Sequence, residues 1–309
     1  MRTLITRYPV LILSVLVLGI QFGIVLVTAH LLPEGVRLRD APLAHSIFRL
    51  RVFWPLVLAV GITFYLEGRS GVSHLFSAYR VWRVPVRFYA FAFSWKFLFC
   101  YLAWVIMDLA GILEWPGALV ANFFDGDHHQ FITMLYTMPF IIGIALVEET
   151  TWMKFCVTRL QARYTAFTAC VLTGLAWGLW YLPMLLLGEG VPEGYPWYAF
   201  LVSMIGLTLL LGWTYNRTHS GIVLLIMQVV SNIAFFVLPA LPAWHDMDPS
   251  YVIGFIVVEI GVVIYLVLRY GPRDLGTEPR PVWKVPQPVL RDPSFNVSGT
   301  TGRSTDPGF

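Results

Sequence analysis

Eight stretches of the chain, residues 9 to 32, 52 to 67, 86 to 111, 131 to 158, 166 to 187, 197 to 215, 219 to 238 and 250 to 268, are almost continuously apolar. A helix needs about 20 such residues to cross the hydrocarbon core of a bilayer. The sequence therefore reads as an all-α, polytopic transmembrane helical bundle of about eight helices. Composition agrees: 57% of the 309 residues are hydrophobic and 13% charged, against about 25% charged in a soluble domain. The run from residue 9 is too long for a signal-peptide core and is taken as a true first helix. The 12 Trp, 14 Tyr and 22 Phe suit both a packed helical interior and bilayer interfaces. Cys100, Cys156 and Cys170 all lie inside apolar runs and are expected as free buried thiols. A net charge of +3 gives no argument for nucleic acid.

The distribution of Lys and Arg orients the bundle. With the N-terminus in the cytoplasm, the inner segments hold most of them, including Arg7, Arg80, Arg83, Arg87, Arg159, Arg163, Arg217 and Arg269. Arg37, Arg39, Arg49 and Arg51 fall in the first outer loop, and the other outer loops are acidic. The positive-inside rule then predicts a multi-pass integral protein of the cell membrane with both termini cytoplasmic. Residues 70 to 85, basic, aromatic and ending in Pro85, read as an interfacial elbow. From Gly271 the chain turns to Pro, Gly, Ser, Thr and Arg, which predicts a disordered cytoplasmic tail over 271–309.

Ionisable residues inside the spans carry the functional signal. Lys96, Asp108, Glu148, Glu149, Lys154 and Glu259 each cost about 2.5 to 3.5 kcal/mol at the centre of a span unless paired or solvated. Asp108 and Lys154 sit near helix ends, where they reach water. Glu259 stands alone in its helix and suits either an interhelical hydrogen bond or a place at a site. Glu148 and Glu149 are adjacent, about 100° apart on a helix, so at least one faces the protein interior.

The segment VEETTWMKF, Val147 to Phe155, resembles the first motif of the CPBP family of intramembrane metalloproteases, also called Abi or CAAX-protease-like, in which a Glu-Glu pair is followed, after three intervening residues, by Arg. GLAWGLWYLP, Gly174 to Pro183, is similar to the second motif, with an aromatic residue four before a catalytic His. YNRTHSGIVLLIMQVVSN, Tyr215 to Asn232, is similar to the third, with a His four before Asn. The resemblance covers roughly residues 75 to 240. Together with the apolar runs and the composition of the C-terminus, it divides the chain into two N-terminal transmembrane helices over 1–70, a CAAX-protease-like core over 71–240, a last helix over 241–270 and the tail.

The same resemblance implies a protease in which a Glu of the pair activates water while two His, with the Glu and the Asn, build the metal or transition-state site. Glu148, Glu149 and Asn232 match that pattern; Met153 stands at the Arg position, Tyr181 at the first His and Gln228 at the second. At about 1.5 Å per residue from the nearest inner charge, Glu148 and Gln228 lie about 16 Å deep, Asn232 about 22 Å and Tyr181 about 22 to 27 Å. One cavity holding all of them is geometrically allowed. A phenol and an amide are poor zinc ligands, so no cofactor is assigned although the family implies zinc. The other histidines lie near the membrane faces, and the acidic, His-bearing loop DGDHH, Asp125 to His129, is read as solvated. With Met153 in place of Arg, Lys96 or Lys154 is expected to contact the Glu pair.

Two functional readings follow. In one, the chain keeps the fold and binds a membrane peptide or protein partner in the ancestral cavity without standard metalloprotease activity. In the other, it is an active CAAX-type endopeptidase with Glu148 as general base and Gln228 or Asn232 polarising the scissile carbonyl. A transporter or channel is disfavoured, because the polar residues cluster instead of lining a path. Substrate and oligomeric state are not legible.

Overall fold

The computed structural model describes residues 2–115, 129–189, 196–237 and 249–284. Among these residues there are helices and turns and no strand. After a helical turn at Arg2–Arg7 come α1 (Pro9–Leu31), α2 (Pro42–Leu50), α3 (Trp54–Leu75), α4 (Val86–Leu109) and α5 (His129–Glu148). The last runs into a π-helical segment, Glu149–Val157, and then come α6 (Ala166–Tyr181), α7 (Trp197–Thr218), α8 (Gly221–Val237) and α9 (Pro249–Tyr270). Seven stretches are long and apolar enough to cross a membrane; the eighth expected span corresponds to the shorter apolar helix Gly221–Ala234. The chain is a multi-pass all-α membrane protein.

Without water in the hydrocarbon, helices associate through close backbone packing, which small residues permit. The seam between α6 and α7 follows that rule. A Cβ on Gly174 would stand 2.8 Å from the Ile205 Cα, and one on Gly178 would stand 2.6 Å from Leu201 Cδ2. In α3, Gly68 adopts φ 63° and breaks the helix. The left-handed region is open to glycine at little cost. The break lets the chain turn immediately after Glu67 into the elbow, where Tyr79 in the turn Ser77–Arg80 meets Thr150 Oγ1 at 2.8 Å. The elbow therefore packs on the π-helical segment rather than lying free at the interface.

The core is aromatic. Trp95, Trp152, Trp177 and Trp180 are fully buried, and the Trp95 indole donates to the Met227 carbonyl at 3.1 Å, tying α4 to α8. Cys100, Cys156 and Cys170 are free and buried, as expected. Glu259 accepts a hydrogen bond from Ser203 Oγ at 2.8 Å, and its carboxylate lies over Gly206; it joins α9 to α7 and stays away from Glu148.

The expectation of a tail from residue 271 needs correction. Residues 271–284 pack as a strap across the turn that follows the π-helical segment and the end of α7. Leu275 is buried, Asn216 donates to the Asp274 carbonyl at 2.8 Å and Gln161 to the Pro281 carbonyl at 2.9 Å. The strap ends on Trp283, whose indole N–H reaches the Glu67 carboxylate at 3.0 and 3.1 Å and whose ring lies under the Arg159 guanidinium at 3.9 Å. An aromatic anchor and a row of satisfied backbone groups outweigh the Pro- and Gly-rich composition. Residues 285–309 lie outside the described residues.

Candidate functional site

Glu148 ends α5 at the point where the hydrogen-bond ladder changes from the α pattern to the i→i+5 pattern of a π-helix. Such segments are rare, and they recur at functional sites. The side chains of Glu148 and Glu149 are 2% and 1% exposed, so both carboxyl groups are inside the protein.

Three of the five expected site residues meet directly. The Tyr181 hydroxyl, at the end of α6, donates to Glu148 Oε1 at 3.1 Å. The Gln228 amide, in the middle of α8, donates to Glu148 Oε2 at 2.7 Å. One carboxyl group is thus held by a neutral donor on each oxygen, from two different helices. Glu149 is adjacent but takes no part, and both of its oxygens are buried without a hydrogen-bond partner. Asn232, one turn beyond Gln228, makes no bond to either glutamate, and its Nδ2 is likewise buried and unpartnered. Gln228 Oε1 is in the same condition. A donor or acceptor of this kind costs about 1 to 3 kcal/mol when nothing meets it.

The cation expected beside the pair is not a lysine. No ion pair joins Lys96 or Lys154 to Glu148 or Glu149 among the described residues. The Lys96 ammonium lies over the Phe255 ring at 3.9 Å, within electrostatic range of Glu259, and Lys154 faces the Trp283 ring at 5.7 Å. Met153 is buried near Cys170 and Gly212, in the α6–α7 seam. The charge that acts on Glu148 and Tyr181 comes from Arg51. Arg51 lies in the turn between α2 and α3, with its guanidinium over the Phe48 ring at 4.3 Å and near the Trp180 ring at 5.2 Å. Its Nε and Nη1 are buried and unpartnered. Sequence reasoning missed it because it looks like one more arginine of a basic loop, with no motif around it.

The donor set does not fit a zinc ion. At the two positions where the resemblance places imidazoles, the side chains are a phenol and an amide, and both spend a donor on the carboxylate that would be the third ligand. Among the described residues no group of three or more His, Cys, Asp or Glu could hold a metal. The DGDHH loop lies outside the described residues. The site can offer a held carboxyl group, a guanidinium, and several unpaired acceptors and donors.

Comparisons with known proteins converge on the same stretch. A family model described as "Type II CAAX prenyl endopeptidase Rce1-like" matches residues 130–234. A curated relative, "CAAX prenyl protease 2" of Methanococcus maripaludis, is 25% identical over 130 residues, which make up 40% of this chain and 48% of that protein. The chain thus spans about half the length of the curated relative it matches. All five expected site positions fall inside the matched segment, whereas Arg51 and the strap fall outside it.

Proposed function

We propose that the chain, similar over residues 130–234 to the CAAX-protease-like family, is an integral membrane protein that binds a membrane peptide, or a membrane-embedded stretch of a partner protein, in the family's cavity and has lost metal-dependent proteolysis. The observation that carries this reading is the pair of hydrogen bonds from Tyr181 and Gln228 to the two oxygens of Glu148. Positions that bind metal through imidazole nitrogen in the family are here used to hold a carboxyl group still. Tyr181 fixes one oxygen, Gln228 the other, and Arg51 supplies positive potential.

The orphaned groups fit a peptide. Inside a bilayer every backbone N–H and C=O needs a partner, because there is no water to provide one. The Glu149 carboxyl and Gln228 Oε1 are acceptors for peptide N–H, and Asn232 Nδ2 and the Arg51 guanidinium are donors for peptide C=O. An unwound peptide segment would satisfy both sides. The arginine distribution supports both termini in the cytoplasm, provided that Gly221–Ala234 crosses as the eighth span.

The second reading, hydrolysis with Glu148 as general base, draws on the same orphaned groups, since they leave hydrogen-bonding room for a water beside the carboxyl group. One experiment separates the two. The purified chain is incubated with a set of membrane peptides carrying photocrosslinkers, and both crosslinking and cleavage are read for the wild type and Glu148→Ala. The proposal expects crosslinking that Glu148→Ala weakens, with no cleavage by either. Cleavage by the wild type that Glu148→Ala abolishes would establish the hydrolase instead.

A further inference from the structure

On the face of α6 away from Tyr181, a cavity of about 710 Å³ runs between the start of α1 and α6. Its walls are apolar, with Leu11, Val15 and Leu18 on one side and Leu172, Leu175 and Leu179 on the other. Its mouth is basic. Arg7, Arg159 and Arg163 line it, and no Asp or Glu does. Arg159 is occupied by Glu67 at 2.9 Å. Arg7 and Arg163 are exposed, form no ion pair among the described residues, and flank the Tyr8 ring at 5.3 and 5.9 Å from its centroid.

We propose that this groove is a binding site for one anionic phospholipid, with the headgroup phosphate held between Arg7 and Arg163 and an acyl chain laid along α1 and α6 as far as Leu18 and Leu179. Guanidinium groups suit phosphate because their N–H groups match its oxygens in pairs. From Pro9 to Leu18 the helix rises about 14 Å, which accommodates most of an acyl chain in an extended form. Charge and shape coincide: the arginines stand at the end of the bundle that their own distribution assigns to the cytoplasm, where the leaflet carries its negative charge. A peptide has no reason to prefer this arrangement, because the walls offer it few hydrogen-bond partners below the mouth.

The test is a lipid titration of the full chain in detergent, followed by native mass spectrometry, with dioleoyl phosphatidylglycerol and dioleoyl phosphatidylcholine as probes. Phosphatidylglycerol is expected to bind roughly tenfold or more tightly than phosphatidylcholine. Arg7→Gln with Arg163→Gln is expected to lower phosphatidylglycerol affinity roughly tenfold to thirtyfold, from about 1 kcal/mol per basic residue, and to leave phosphatidylcholine unchanged. Arg7→Lys with Arg163→Lys, which keeps the charge, should retain most of the affinity. Leu172→Trp, which fills the groove, should weaken both lipids. Equal affinity for the two lipids, displacement of phosphatidylglycerol by inorganic phosphate alone, or wild-type binding by the double Gln variant would each overturn the proposal. These residues lie outside the Glu148 cluster, so failure here leaves the peptide-binding reading standing.

Discussion

The segment from Glu148 to Arg159 has a polar region at each end, and the two differ in how completely their groups are paired. At the Arg159 end most groups are paired, with Arg159 Nε and His74 Nε2 the buried exceptions among the described residues. Arg159 binds Glu67 at 2.9 Å, Trp283 donates to the same carboxylate, and the Trp283 backbone N–H caps the Thr158 carbonyl at 3.0 Å. Gln161 and Asn216 exchange hydrogen bonds, and Arg280 pairs with Asp274 at 2.9 Å. At the other end, Glu148 has two donors, but Glu149, Gln228 Oε1, Asn232 Nδ2 and two nitrogens of Arg51 have nothing. A buried network that is complete rigidifies a fold, whereas one left incomplete is costly unless something fills it. On the proposed reading the more completely paired Arg159 end serves stability and the Glu148 end receives the peptide.

The sharpest way to break the contrast is at Arg159. Arg159→Ala leaves Glu67 without its ion-pair partner, and removing one member of a largely buried pair costs about 3 kcal/mol; thermal unfolding in detergent should show a large drop. Trp283→Ala should follow at about 2 kcal/mol, from lost aromatic packing and a lost cation–π contact. It should also expose the strap to limited proteolysis. Asn232→Leu should behave in the opposite way. Replacing a polar group that has no partner with an apolar one of similar size should be neutral or stabilising by about 0.5 kcal/mol, while peptide crosslinking falls. Equal destabilisation by Asn232→Leu and Trp283→Ala would erase the distinction between the two ends.

The smallest effect is expected at His219, which closes α7 in the left-handed conformation at φ 54°. Burial, with help from the charge of Lys154, holds its imidazole below the ordinary histidine value. The unfolded chain therefore binds this proton first as the pH falls, so stability is lost from about pH 6.5 downward. His219→Asn, which tolerates the same backbone conformation, should flatten the pH dependence of unfolding over that range.

Much of this is legible in the sequence. The apolar runs give the helices, and the order and depth of the three motifs allow Glu148, Tyr181, Gln228 and Asn232 to share one cavity; hydrogen bonds join the first three and leave Asn232 out. Three things are not legible, each for a physical reason. The π-helical segment breaks the 3.6-residue period on which face arguments rest, and Met153 packs near Cys170 and Gly212. Arg51 reaches the site from a separate turn, where neither periodicity nor motif marks it. The strap has the composition of a disordered segment, and its one signal is Trp283, a large aromatic amid polar residues that finds a carboxylate and a guanidinium to pack on.

Zinc content tests the central claim most directly, because Tyr181 and Gln228 are assigned to holding Glu148 and not to holding a metal. The purified wild type should carry only trace zinc after brief dialysis, and Tyr181→His with Gln228→His should raise it toward one ion per chain. Stoichiometric zinc in the wild type, lost on Glu148→Ala, would contradict the account.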